Sequence, residues 1–221
     1  MNLLLIASAP VFIILVYVYI RDKYEREPLR LLLKSLLAGA LSVIPVMFVN
    51  SWLDGFKIHF TGLTQIGYIA FIVAAFVEES FKFIALYFLI WKNKEFNEKF
   101  DGIVYAVFIS LGFALVENIM YVTSYGESTG YVRALTAVPA HALFAVAMGY
   151  YFAFAKFSKK QKPYYLFMAL FIPIMLHGIY DFLLMSQMNI YLLIFIPFIT
   201  YLWWAGFKKM KILSDISRFK K

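Results

Sequence analysis

Glu78, Glu79 and Lys82 lie inside the stretch "AAFVEESFKFIAL", residues 74–86, in an apolar run long enough to cross a bilayer. Charges at that depth cost a few kcal/mol each unless they are paired or face a wet cavity, so a functional reading comes first. Their spacing is informative. Glu78 precedes Lys82 by four residues and Glu79 precedes it by three, so on a helix the lysine can neutralise one carboxylate. Two adjacent carboxylates in a low dielectric do not both ionise cheaply. The pair therefore reads as one general base beside a protonated or salt-bridged partner.

Three further apolar runs carry polar groups of the same kind: Glu117 with Asn118, His141, and His177 with Asp181. Asp181 falls one turn after His177 and can accept its ring N–H, fixing the tautomer. A base, two imidazoles and the Asn118 amide are parts for activating water against a carbonyl and holding the oxyanion. Other hydrolytic designs lack a component. There is no H-E-x-x-H zinc helix, no G-x-S-x-G elbow, a single intramembrane aspartate and no cysteine.

The elements that must position these groups follow from composition. The chain is 63% hydrophobic and 15% charged, against about 45–50% and 25% for soluble domains, which makes it a polytopic membrane protein. Each span needs about 20 apolar residues. Runs at 3–20, 31–53, 66–91, 102–123, 133–155, 164–185 and 190–207 predict an all-α bundle of about seven transmembrane helices forming one membrane-embedded domain over 1–221. The first run has no basic leader and reads as an anchor.

The net charge of +8 sets topology and does not indicate a nucleic-acid partner. Lysines and arginines cluster after the first, third, fifth and seventh runs, while the other side carries only Lys57 and Arg133. The positive-inside rule then puts the N-terminus outside and the C-terminus in the cytoplasm. Counting about 1.5 Å per residue places Glu117, His141, His177 and Asp181 in the outer half of the membrane and the glutamate pair nearer its middle. Small residues at helical spacing flank two of these groups, Ala137, Ala145 and Gly149 around His141, and Gly102, Ala106, Ser110 and Ala114 below Glu117, so both should face the bundle interior. The loop "RDKYEREP" reads as a solvated Asp/Glu/Arg network, with Pro28 starting the next helix. His59 reads as a surface residue, and Trp203 and Trp204 as interfacial anchors.

With these residues in place, the sequence resembles the PrsW family of bacterial intramembrane proteases, which make the first, outer-side cut in a membrane-bound anti-sigma factor. The resemblance runs through "RDKYEREP", "EESFK", "DGIVYA", "LGFALVEN", "RALTAVPAHALF", "HGIYDF" and "LWWAG", in order and over nearly the whole chain. The family is similar in turn to the glutamate-type membrane proteases that include the CAAX prenyl endopeptidases and bacteriocin-immunity proteins. The resemblance implies that Glu78, Glu79 and His177 are essential, that Glu117 and His141 complete a catalytic pocket, and that Asn118, Lys82 and Asp181 support it. It also implies a multi-pass protein of the bacterial cell membrane that cuts a single-pass substrate in stress-response signalling.

The reading favours a glutamate mechanism with no cofactor. Zinc remains open, with His141, His177, Glu117 and Glu79 as candidate ligands, since two histidines and a glutamate form a known catalytic set. Two other classes compete. A proton- or ion-coupled transporter could use the same groups, although the relay stops short of the inner halves of the later spans. A non-enzymatic immunity or assembly factor would tolerate Glu→Gln changes, which hydrolysis would not.

Overall fold

The computed structural model describes residues 2–220, and the structural statements below concern those residues. They fold entirely into helices and connections, with no strand among the described residues. The order is α1 (Leu3–Arg21), α2 (Leu29–Asp54) with a 3-10 turn (Gly55–His59), α3 (Gly62–Tyr68), a π-helix (Ile69–Phe76), α4 (Val77–Ile90), α5 (Lys99–Tyr125), α6 (Glu127–Leu135), α7 (Ala137–Phe157), α8 (Lys162–Met185) and α9 (Asn189–Asp215). Six helical stretches are long and apolar enough to span a membrane, with α2 counted through His59 and α6 joined to α7. The remaining predicted span is the rod made by α3, the π-helix and α4.

Local chemistry sets the helix ends. The Asn2 side chain accepts the Leu4 N–H at 3.0 Å and caps α1. Pro28 occupies the cap position of α2, as its place in the sequence suggests. Glu98 and Asp101 form a reciprocal capping box at the start of α5. Gly126, at φ 87°, takes the left-handed turn that separates α5 from α6.

The bundle is built around α5, which is buried without interruption from Phe100 to Ala114. α7 lies beside it and is buried from Ala137 to Gly149. These two helices approach so closely that a Cβ on Gly149 would fall 2.2 Å from the Gly102 carbonyl oxygen. The expected small-residue stripes therefore face each other. α2 packs on α5 in the same manner, where a Cβ on Gly39 would meet the Ile109 carbonyl oxygen at 1.8 Å.

The "RDKYEREP" loop departs from its expected solvation. Asp22 and Glu27 are 1% and 2% exposed and turn inward against the first turn of α5, where Asp101 is also buried. Burial is the main cause that pushes the Asp22 carboxyl up to about 8, with Asp101 and Glu98 adding to it. Glu27 is raised for the same reason. The arginines do not complete the expected network: Arg26 lies over the Tyr19 ring at 5.5 Å, and the Arg21 Nε is buried without a hydrogen-bond partner. Glu27 enters the loop interior because the Tyr105 hydroxyl of α5 meets it, and Asp22 accepts the backbone N–H of Glu27 within the loop; the α5 partner is what the loop sequence alone cannot reveal.

Candidate active site

The π-helix prepares the site. Its i→i+5 pattern interrupts the rod immediately before Val77 and resets the direction in which Glu78 and Glu79 project. Nothing in the apolar run 69–76 announces it. Gly178, next to His177 on α8, lets the π segment come close, since a Cβ there would lie 2.2 Å from the Phe71 ring.

Lys82 is the centre of the arrangement. Its Nζ donates to Glu79 Oε1 at 2.8 Å and to Glu78 Oε2 at 3.2 Å, and it contacts His141 Nδ1 at 3.2 Å. The ammonium also lies 4.3 Å from the centre of the Phe113 ring. The sequence spacing suggested neutralisation of one carboxylate; the lysine reaches both and also a histidine from α7.

Each histidine uses both of its ring nitrogens. His177 contacts Glu79 Oε1 through Nδ1 at 2.9 Å and Asp181 Oδ2 through Nε2 at 3.4 Å. His141 faces Lys82 through Nδ1 and meets Glu117 Oε2 through Nε2 at 3.0 Å. Each ring thus turns one nitrogen toward the Glu79–Lys82 centre and holds an outer carboxylate with the other, which fixes its orientation. The two rings lie 5.3 Å apart, nearly perpendicular, with Phe144 stacked on His177.

Beside these groups lies a cavity of about 90 Å³ lined by Glu78, Glu117, Tyr121, Arg133, His141, His177 and Asp181, with alanine and aromatic side chains completing the wall. It has room for several water molecules at roughly 10–15 Å³ of such space each. Glu78 reaches this cavity, whereas Glu79 is 0% exposed behind it.

The structure gathers Glu78, Glu79, Lys82, Glu117, His141, His177 and Asp181 into one contact network. Asn118 has a different position from the one expected of an oxyanion donor. Its Nδ2 donates to the Ala7 carbonyl of α1 at 2.7 Å, and its Oδ1 accepts from Arg133 Nε at 2.8 Å. Arg133 itself was not singled out by sequence reasoning, which counted it only as an outer-side charge. Its Nη2 bonds Glu117 Oε2 at 2.6 Å.

The donors close enough to share a metal ion are Glu78, Glu79, His141 and His177, whose ligand atoms lie within 4.8 Å of one another. Glu117, a ligand candidate from sequence, instead ties the far side of His141 to Arg133. Two imidazoles with a carboxylate form a catalytic zinc set, and Glu79 Oε2 is a buried oxygen without a hydrogen-bond partner. The donor chemistry fits zinc.

Residues 27–202 match the family described as "PrsW family intramembrane metalloprotease". The chain is 41% identical over 216 residues to Protease PrsW of Geobacillus kaustophilus, covering 95% of this chain and 91% of that protein. It is 38% identical to Protease PrsW of Clostridioides difficile, covering 99% and 94%, and 37% identical to that of Bacillus subtilis, covering 95% and 94%. No solved structure matches. A buried glutamate–histidine centre in a helical membrane bundle, with family similarity along nearly the whole chain, has one reading: the chain belongs to the PrsW family of intramembrane proteases.

Proposed function

We propose that this protein, as one membrane-embedded unit over 1–221, hydrolyses a peptide bond of a single-pass membrane protein near the outer face of the bacterial cytoplasmic membrane. An anti-sigma factor cut in stress-response signalling is the substrate class that the family resemblance supports. The observation that carries the hydrolytic reading is the convergence of Glu78, Glu79, His141 and His177 beside a polar cavity in an otherwise apolar bundle.

In this reading Glu78 is the general base, because it alone of the glutamate pair reaches the cavity. Its carboxylate takes a proton from a cavity water as the water oxygen attacks the scissile carbonyl carbon, and returns that proton to the departing amide nitrogen. Glu79 holds Lys82 and orients His177, while Asp181 and Glu117 orient the two imidazoles from outside. The bundle excludes bulk water, which strengthens each charged contact. Asn118 supports the site by tying α5 to α1 and to Arg133, and we assign it no contact with substrate.

His141, His177 and Glu79 are the residues that would hold zinc, leaving Glu78 as base; bound there, the metal supplies Lewis acidity toward a carbonyl and acidifies water. Lys82 then pairs with Glu78. This replaces the metal-free preference drawn from sequence, on the strength of the donor cluster and the family description.

The test is cleavage of a tagged single-pass substrate of anti-sigma type by purified protein in liposomes, with wild type and His177→Ala compared at matched fold. Each is assayed with and without a chelator and after zinc is returned. An outer-side fragment from wild type, abolished by the substitution and by chelation and restored by zinc, supports the whole reading. Chelator-resistant cleavage retires the metal and keeps the glutamate mechanism. Full activity in folded His177→Ala overturns the site.

A further inference from the structure

A second polar cluster lies far from the active-site cavity. Asp101 is separated from Glu117 by about 24 Å along α5 at about 1.5 Å per residue. Around it gather Glu25 and Glu27 from the α1–α2 loop, with one carboxylate oxygen of each of the three within 4.8 Å of the others.

These carboxylates share a pattern. Each anchors one oxygen on a protein N–H or O–H and leaves the other buried without such a donor, with the Glu27 and Asp101 carboxyls close enough to each other to share a proton. Asp101 Oδ2 accepts the backbone N–H groups of Asn97 at 2.8 Å and Glu98 at 2.7 Å, while its Oδ1 is unpartnered. Glu25 Oε1 accepts from the Asn97 amide at 3.2 Å, leaving Oε2; Glu27 Oε2 is bonded by the Tyr105 hydroxyl, leaving Oε1.

Asp22 supplies an independent observation. It stands outside that trio, is 1% exposed, and faces the charges of Asp101 and Glu98, yet its Oδ2 also has no partner. Among the described residues, no lysine, arginine or histidine forms an ion pair with Asp22, Glu25, Glu27 or Asp101, although the chain carries 21 lysines and arginines. Buried carboxylates without a cation are costly, and native proteins resolve such sites by protonation, pairing or metal coordination.

The geometry points to a second metal site, in which Glu25, Glu27 and Asp101 bind a hard divalent cation of the magnesium, calcium or manganese class, with the unpartnered Asp22 carboxylate beside them. The available donors are all oxygen, with no imidazole or thiolate, which suits these ions and distinguishes this cluster from the histidine-bearing one. A cation there would join the α1–α2 loop to the first turn of α5. Glu98, which caps the same turn, is also bonded by the Ser217 hydroxyl, so the end of α9 meets the same place.

The experiment is manganese binding to chelator-stripped, full-length protein in detergent, read by loss of the free-ion paramagnetic resonance signal, with magnesium and calcium as competitors. Wild type and His177→Ala should each retain about one manganese ion. Glu25→Gln, at a half-buried position that tolerates the change, and Glu27→Gln should each weaken binding at least tenfold while melting cooperatively. Unchanged binding in both glutamine variants, loss confined to His177→Ala, or no retained manganese in wild type would each overturn the proposal. The last result would assign the cluster to protons.

Discussion

Arg133 Nη2 lies 2.6 Å from Glu117 Oε2, the same oxygen that His141 Nε2 contacts at 3.0 Å. Glu117 is therefore committed on both sides and acts as the anchor that sets the His141 ring. Arg133 also binds Asn118 through Nε and lies 4.0 Å from the centre of the Tyr121 ring. The short helix α6 is fastened to α5 by one planar guanidinium that meets three partners.

Replacing Arg133 should accordingly disturb the reaction without touching the proposed base. A charge-assisted hydrogen bond of this kind contributes about 1.5–3 kcal/mol, so Arg133→Ala should slow cleavage about 10- to 100-fold. Arg133→Lys should recover only part of the rate, because an ammonium cannot reproduce the fork. Cleavage kinetics in liposomes decide it, and a wild-type rate for the folded alanine variant would show that the Glu117 anchor is dispensable.

Lys82 should dominate stability in the site. It is 1% exposed and is the cation nearest to two buried carboxylates. Lys82→Met leaves that charge uncompensated and should cost about 3–5 kcal/mol. Adding Glu79→Gln to Lys82→Met should restore part of the loss, since the repulsion it relieves is the source of the cost. Melting of the single and double variants in detergent measures the coupling, and simple additivity of the two changes would mean that the contacts are energetically independent.

The two glutamates should separate by readout. Glu78 borders the cavity, whereas Glu79 is fully enclosed and bonded to Lys82 and His177. Glu78→Gln should lower turnover by about 10²- to 10⁴-fold, the range of a lost general base, with melting close to wild type. Glu79→Gln should lower both turnover and melting temperature. The reverse pattern would exchange the roles assigned to the pair.

The sequence made the span pattern and most of the candidate site's residues legible because membrane depth punishes unpaired charge. An ionisable residue in an apolar run stands out without any structural knowledge, and seven of them converge here. Arg133 was obscured because a charge at a helix end looks the same whether it meets water or Glu117. The buried acids of "RDKYEREP" were obscured because their neighbours, Asp101 and Tyr105, lie more than 70 residues away in a different motif. The role of Asn118 also depended on a distant partner, the Ala7 carbonyl. The π segment left no trace because Ile69–Phe76 satisfies an α pattern equally well; packing against Gly178 and the charges that follow distinguish it.

That packing can be tested through Gly178 and Phe71. A Cβ on Gly178 would lie 2.2 Å from the Phe71 ring, so Gly178→Ala must displace either the ring or the π segment that carries it. Overpacking of this kind costs about 1–3 kcal/mol. The larger consequence concerns position, because the π segment leads directly into Glu78 and Gly178 adjoins His177, so a displacement here alters the 2.9 Å contact between Glu79 and His177. Gly178→Ala should therefore reduce cleavage more than its stability loss explains. Phe71→Ala, which opens space on the facing side, should restore activity in the double variant although it removes apolar contacts. Recovery confined to that combination would locate the effect in the packing of the π segment against α8. Equal impairment of the double variant and Gly178→Ala would instead place the requirement for glycine in α8 itself.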